Sequence, residues 1–305
     1  MKIVSFGPVR AEQTGILRGD GRIVPLGPLL VEAGFAPLTV SQFLGMLDLI
    51  QPVIEPLVDT ARVSFSSSGV RLGPPVSAPE KIIVTGANYQ DHLDEASGVA
   101  GAPSSSQPLM YLKPSNTVAG ASDPLVRPFL TEQLDYEVEL AVVIGRGGRN
   151  IAKADVFDHI AGYMICNDLT ARDLVGRDAA IHPYFLQLTR AKGIAAAPIG
   201  PWLVTKDEIP NPHELDIRTW VNGELRQSGN TRDMIFDIPA MVSDFSDALE
   251  LSPGDIIMTG TTAGSGAAHL PPAFLKAGDV VRMEITGLGV METPIVGETR
   301  ASLDG

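Results

Sequence analysis

Residues 135–145 read DYEVELAVVIG. Asp135, Glu137 and Glu139 alternate with larger residues, and the uncharged run Leu140–Gly145 follows. The pattern predicts a strand over 135–144, with 137, 139, 141 and 143 on one face and 138, 140, 142 and 144 on the other. Glu137 and Glu139 then point the same way, roughly 6.5–7 Å apart at the backbone. Ala141 to Ile144 is apolar on both faces, as expected of a strand inside a covered sheet. Two ionised carboxylates at the mouth of such a sheet repel each other and lose hydration, which costs several kcal/mol per charge. A solvated strand face is one resolution. A divalent cation is the other, and all-oxygen ligation suits Mg²⁺, Mn²⁺ or Ca²⁺ better than zinc.

The bulk properties narrow the function classes. The chain has 305 residues, 44% hydrophobic and 19% charged, the balance of an ordinary globular protein. A net charge of −13 argues against nucleic acid or an anionic membrane as partner, since both select clustered Lys and Arg. The lone Cys166 leaves no partner for an intramolecular disulfide and fits a reducing cytoplasm. MKIVSFGPVR at the start lacks the apolar core of a signal peptide, and no uncharged apolar run reaches the roughly 18 residues of a membrane span.

Two units are expected. Residues 1–76 read as a small N-terminal α/β domain with strands at 2–6, 14–17 and 22–24. A helix follows over 38–50, with Thr39 or Ser41 as its N-cap. LGPPVSAPEK (72–81) has the prolines of a linker. Residues 77–305 read as mostly β, so the fold class is α+β rather than a repeating βαβ sheet. Strands are expected at 81–89, 109–112, 135–144, 159–166, 200–204, 215–221, 255–259 and 279–286. VNGEL (221–225) carries an Asn-Gly hairpin signal. Ile238, Met241, Val242, Phe245 and Leu249 recur at helical steps within 235–251. GVAGAPSSSQP (98–108) reads as a mobile loop.

Two further clusters bear chemistry. GYMICNDLTARD (162–173) is an apolar strand running into Asn167-Asp168, where Asp168 is either a third metal ligand or an N-cap for the next helix. HLDEA (92–96) spaces His92 and Glu95 three apart, on one helix face. The pair is either an exposed helical contact or a carboxylate-oriented imidazole, a way to make a general base near neutral pH.

DYEVELAVVIG, GYMICNDLTARDL, APIGPW (197–202) and TGTTAG (259–264), in this order, resemble the fumarylacetoacetate hydrolase family, as do GANYQDH (86–92) and YLKPSNTVAG (111–120). The resemblance spans roughly 80–295. It implies Glu137, Glu139 and Asp168 as ligands of Mg²⁺ or Mn²⁺, with Asp135 outside the set as a supporting or surface residue. It implies His92 and Glu95 as a water-activating dyad under a segment that closes over substrate. Lys192 would add positive charge where an oxyanion develops, Lys113 would face the substrate, and Thr261 would bind its carboxylate. It also implies a mixed β-sandwich roll and a homodimer or pair of dimers.

The substrate wall departs from the family pattern. Val175 stands where the family often has Gln. Lys192-Gly193-Ile194-Ala195 replaces Lys-Ser-Phe-Asp, and Gly260-Thr261-Thr262-Ala263-Gly264 replaces Gly-Thr-Pro-x-Gly. His182, in IHPYFLQLTR (181–190), either lines the altered pocket or is a surface or subunit-contact histidine.

The expected activity is metal-dependent hydrolysis of a C–C bond in a 2,4-dioxo acid or acylpyruvate, giving pyruvate and a carboxylic acid. Decarboxylation of an oxaloacetate-like acid, or isomerisation or tautomerisation of a dienedioate-like one, would use the same site. A binding protein without turnover is the third possibility, against which the His92–Glu95 pair argues. No P-loop or dinucleotide-binding glycine motif is present.

Overall fold

The computed structural model describes residues 1–98, 100–175 and 188–298. The strands are β1 (Lys2–Phe6), β2 (Gln13–Leu17), β3 (Arg22–Pro25), β4 (Phe65–Ser66), β5 (Leu72–Gly73), β6 (Ile82–Gly86), β7 (Leu109–Lys113), β8 (Val118–Gly120), β9 (Leu125–Arg127) and β10 (Leu134–Asp135). They continue as β11 (Val138–Ile144), β12 (Ile160–Asn167), β13 (Thr170–Ala171), β14 (Ala197–Thr205), β15 (Asp216–Val221), β16 (Glu224–Asn230), β17 (Ile256–Thr261), β18 (Val280–Ile285) and β19 (Gly289–Gly297). The helices are α1 (Leu26–Glu32), α2 (Val40–Gly45), α3 (Leu47–Thr60), α4 (Gln90–Ser97), α5 (Val156–His159), α6 (Arg172–Val175), α7 (Leu188–Gly193) and α8 (Ile238–Ala248).

β11 sits in the middle of a mixed sheet ordered β4-β3-β2-β1-β14-β12-β11-β17-β6-β7, with β5 beside β1 and β8 beside β14. All seven of its residues are buried, as its apolar run requires. Val138, Leu140, Val142 and Ile144 enter one core, together with α8 and the inward residues of a second sheet, β16-β15-β18-β19-β9. Ala141 and Val143 enter the opposite core, under α1, α2 and α3. Two sheets packed around β11, with helices on the far face, make the expected mixed α+β sandwich. The pair β10–β13 stands apart, because the strand expected from 135 breaks at Tyr136–Glu137.

The N-terminal strands extend this same sheet, since β1 pairs with β14 from Lys2 opposite Val204. The stretch read as a linker is packed: Leu72–Gly73 pairs with β1, Val76 is buried, and the Lys81 N–H donates to Asp255. The helix expected at 38–50 is two helices broken at Met46. Thr39 caps the first in a capping box with Gln42. α3 runs on to Thr60 through Pro52 and Pro56, because Leu47, Ile50, Ile54 and Val58 bury one continuous stripe. α8 buries Ile238, Met241, Val242 and Phe245, while the expected Leu249 is half-buried just past its end; Asp237 caps the start, its Oδ1 accepting from the Ala240 N–H. Asn222 and Gly223 both take positive φ, which a two-residue hairpin between β15 and β16 demands. Among the described residues no helix is long and apolar enough to cross a membrane.

Candidate active site

Glu139 lies in β11 opposite Cys166 of β12 and Thr261 of β17. Asp168 follows the end of β12, where its N–H donates to the Glu137 carbonyl at 2.9 Å. The Asn167 side-chain oxygen accepts from the Glu137 N–H at 3.0 Å. These backbone ties bring the sequence-predicted ligands together: one oxygen from each of Glu137, Glu139 and Asp168 falls within 4.8 Å of the others. Asp168 does not cap a helix, since α6 begins only at Arg172.

The surrounding charges are specific. The Lys192 ammonium donates to Glu137 at 2.8 Å and to Asp168. Lys113 donates to Asp168 at 3.1 Å and to the Leu169 carbonyl at 3.0 Å. Arg172 donates from Nη2 to Glu137 at 2.6 Å and from Nε to Asp135 at 2.8 Å. Thr170 adds a hydroxyl to Glu137 at 2.8 Å. Burial works against ionised Glu137, but Arg172 and Lys192 overcome it and hold the carboxyl well below its usual range. Burial likewise opposes charged Lys192, and Asp168 and Glu137 outweigh it, so its pKa rises. For Lys113 burial wins and lowers the pKa.

Glu139 is the odd member. It is 2% exposed and accepts the Gly260 N–H at 2.6 Å, yet it forms no salt bridge among the described residues. Burial, then the charges of Asp168 and Glu137, push its carboxyl well above the usual range. A buried, oxygen-only donor set with one carboxylate lacking a counter-charge fits a hard divalent cation. Gly260 is required for the close approach: its φ is +95°, and a Cβ there would lie 2.8 Å from Asn88 Cβ.

The dyad forms as spaced. On α4, His92 Nδ1 lies 2.9 Å from Glu95 Oε1, and His92 Nε2 lies 4.0 Å from Glu137 Oε1. The loop after β17 fastens α4 in place. Thr262 donates its hydroxyl to Asp91 at 2.7 Å, and the Gly264 N–H donates to Glu95 at 2.8 Å. The 98–108 stretch has no helix or strand among its described residues, and Ala102 ties back to Asp94 and Gln90 of α4.

A cavity of about 440 Å³ opens over Glu137 and Glu139, with Asp168 outside its lining. His92, Glu137, Glu139, Lys192, Thr261 and Val175 line it, as do Tyr111, Leu109, Met110 and Arg172. Lys113 is not in the lining; it backs Asp168 from behind. Thr261 reaches the cavity, but its hydroxyl donates to the Val138 carbonyl at 2.8 Å and accepts from Gln227 at 2.9 Å. Ile194 faces a separate apolar hollow. His182 lies outside the described residues. Asp135 is no surface residue: it is buried and holds Arg172 together with the N–H groups of Gly266 and Ala267. Arg172 and Tyr111, whose ring lies 5.5 Å from the Lys192 ammonium, are the residues that motif reading passed over. Arg172 stands four residues after Asp168, a spacing that could have flagged it.

Residues 81–296 match the family model described as Fumarylacetoacetate (FAA) hydrolase C-terminal. The chain belongs to the fumarylacetoacetate hydrolase family. It is 43% identical over 235 residues to the oxaloacetate tautomerase YisK of Bacillus subtilis (strain 168), covering 76% of this chain and 75% of that protein. It is 38% identical over 264 residues to the mitochondrial oxaloacetate tautomerase fahd2 of Xenopus laevis, covering 85% and 79%. The crystal structure of maleylpyruvate hydrolase from Sphingobium sp. SYK-6, in complex with manganese(II) ion and pyruvate, superposes with a TM-score of 0.79 at 29% identity. That match covers 98% of this chain and 100% of the other. Its relatives thus include both oxaloacetate tautomerases and a maleylpyruvate hydrolase, and membership makes this chain an enzyme of that family without singling out hydrolysis.

Proposed function

We propose that this family member is a divalent-metal-dependent enzyme that forms and quenches the enolate of a 2-oxo acid. Its favoured reaction is keto–enol interconversion of an oxaloacetate-class substrate. The observation that carries this reading is the position of His92, with Nδ1 held by Glu95 at 2.9 Å and Nε2 turned toward the triad, 4.0 Å from Glu137. The two tautomerase relatives support the choice of substrate class.

Glu137, Glu139 and Asp168 would hold Mg²⁺ or Mn²⁺, the ions that suit an all-oxygen set. A bound cation supplies Lewis acidity, which lowers the cost of negative charge on the 2-oxo oxygen. His92 Nε2 takes the proton from the carbon beside the 2-oxo group, and Glu95 stabilises the imidazolium that results. Lys192 adds a fixed positive charge next to the growing negative one. Protonation of the enolate on oxygen gives the enol. Protonation on carbon by His92 gives back the ketone. The Thr261 hydroxyl and the Tyr111 ring shape the rest of the cavity.

C–C hydrolysis is the second reading, favoured by the same dyad. His92 would deprotonate a water that adds to the distal carbonyl of an acylpyruvate. The C–C bond then breaks to a carboxylic acid and the pyruvate enolate, which takes up a proton. Oxaloacetate, acetylpyruvate, fumarylpyruvate and a 2,4-diketo-3-deoxy sugar acid, each with Mn²⁺ or Mg²⁺, separate the readings. Accelerated decay of the enol absorbance of oxaloacetate, without CO₂ or pyruvate, supports the tautomerase. Pyruvate from the diketo acids transfers the assignment to hydrolysis, and CO₂ from oxaloacetate transfers it to decarboxylation.

A further inference from the structure

Asp135 ends β10, and Glu137, two residues on, lies in the break before β11. Asp135 is fully buried, and among the described residues its carboxylate accepts from the 266–267 loop, from Arg172 and from the adjacent Tyr136 N–H. Oδ1 accepts from the Gly266 N–H at 2.6 Å and from the Tyr136 N–H at 2.9 Å. Oδ2 accepts from the Ala267 N–H at 3.1 Å and from Arg172 Nε at 2.8 Å. The same guanidinium reaches Glu137 Oε1 at 2.6 Å with Nη2. The loop that supplies Gly266 and Ala267 also supplies the Gly264 N–H to Glu95. One buried carboxylate therefore joins the segment that anchors the dyad to the arginine that fixes a triad member.

We infer that Asp135 is a positioning residue that sets the Glu137 carboxylate through Arg172 and steadies the 264–267 loop behind Glu95. The inference rests on the reading of Glu137 as a metal ligand in a 2-oxo-acid enzyme. The physical reason is geometric. The Glu137 backbone is tied to Asn167 and Asp168, and Thr170 and Lys192 hold its Oε2, while Arg172 is the hydrogen-bond donor to Oε1. A planar guanidinium with one edge shared between two carboxylates locks both orientations at once. A lysine, a point charge, cannot do this. Partners one step removed from a metal commonly control its affinity by 10–100-fold.

The test uses the full chain carrying Asp135→Asn, Arg172→Gln or Arg172→Lys, and the double variant Asp135→Asn/Arg172→Gln. Mn²⁺ binding is followed without substrate by the electron paramagnetic resonance signal of the free ion, with the thermal midpoint as a check on folding. Each single variant is expected to raise the Mn²⁺ Kd about tenfold or more. The double variant should be no weaker than Arg172→Gln alone, because the two residues act in series. At saturating Mn²⁺, Asp135→Asn should keep a lower kcat than Arg172→Gln, since it also removes one of the two oxygens that accept from Gly266 and Ala267. An unchanged Kd in a folded single variant, or losses that add in the double, overturns the relay. Equal kcat values remove the loop from the role of Asp135. If Asp135→Asn does not fold, Arg172→Lys decides: a wild-type Kd there means that charge alone suffices, and the inference fails. A protein that binds Mn²⁺ but processes no 2-oxo acid ends the functional reading, while the binding comparison still decides the role of Asp135.

Discussion

Glu95 grips His92 from behind: its Oε1 lies 2.9 Å from Nδ1, which leaves Nε2 as the ring nitrogen that faces the triad. A base with one nitrogen tied is fixed in both tautomer and direction. His92→Ala should therefore lower kcat by about 10²- to 10⁴-fold, the usual contribution of a positioned acid or base. Mn²⁺ affinity should stay within a few-fold of wild type, since His92 is no ligand. Steady-state kinetics and a Mn²⁺ titration on one preparation check both halves, and unchanged turnover would remove His92 from the mechanism.

Glu139 gives a prediction about stability as well as binding. Its carboxylate is buried beside two others with no salt bridge among the described residues, so ionisation there is costly without a cation. Glu139→Gln keeps the shape and removes that cost. In EDTA the variant should melt no lower than wild type. Saturating Mn²⁺ at about 100 Kd should stabilise wild type by about 2.7 kcal/mol and leave the variant unmoved. Scanning calorimetry with and without Mn²⁺ reads both effects. A variant that still gains stability from Mn²⁺ would take Glu139 out of the ligand set.

Much of this was legible because the relevant signals are local. Glu137 and Glu139 share one strand face, His92 and Glu95 share one helix face, and α8 shows its stripe at steps of three and four. What the sequence hid is what arises between distant segments. The partners of Asp135 are backbone amides of Gly266 and Ala267, which no periodicity marks. Lys113 looks like a substrate-facing cation at a strand end, yet its ammonium turns inward to Asp168. α3 passes through two prolines because its buried stripe outweighs a breaker signal that pattern reading takes at face value. β19 alternates Met291, Thr293 and Ile295 inward, but Pro294 and its terminal glycines disguise it as a turn region.

Gly264 joins the fold to the dyad. Its φ of +97° suits glycine, and a Cβ there would lie 2.0 Å from the Arg226 carbonyl oxygen. Gly264→Ala should cost at least the roughly 1–3 kcal/mol of a strained backbone and displace the N–H that holds Glu95. The expected result is a lower thermal midpoint together with a fall in kcat. A wild-type melt would show that the loop accommodates the methyl and that its geometry is not set by the glycine.

The pH dependence of stability should carry a signature from His213, away from the triad. His213 Nε2 accepts the Ile238 N–H at 3.1 Å, which satisfies one of the free donors at the start of α8. Burial, against a smaller opposing effect of Asp237, holds this imidazole below its ordinary pKa of 6.5. A histidine kept neutral in the fold binds its proton first in the unfolded chain. Its contribution is thus present above pH 6.5 and is lost as the pH falls from there toward the lower folded value. Protonation would also replace the acceptor at Nε2 with a donor and abolish the bond to Ile238. His213→Gln can keep an acceptor near that N–H but does not titrate. Thermal midpoints of the two proteins should run parallel above about pH 7 and converge or cross on acidification, with wild type falling faster. Parallel curves down to pH 5 would mean that His213 titrates alike in the folded and unfolded chains.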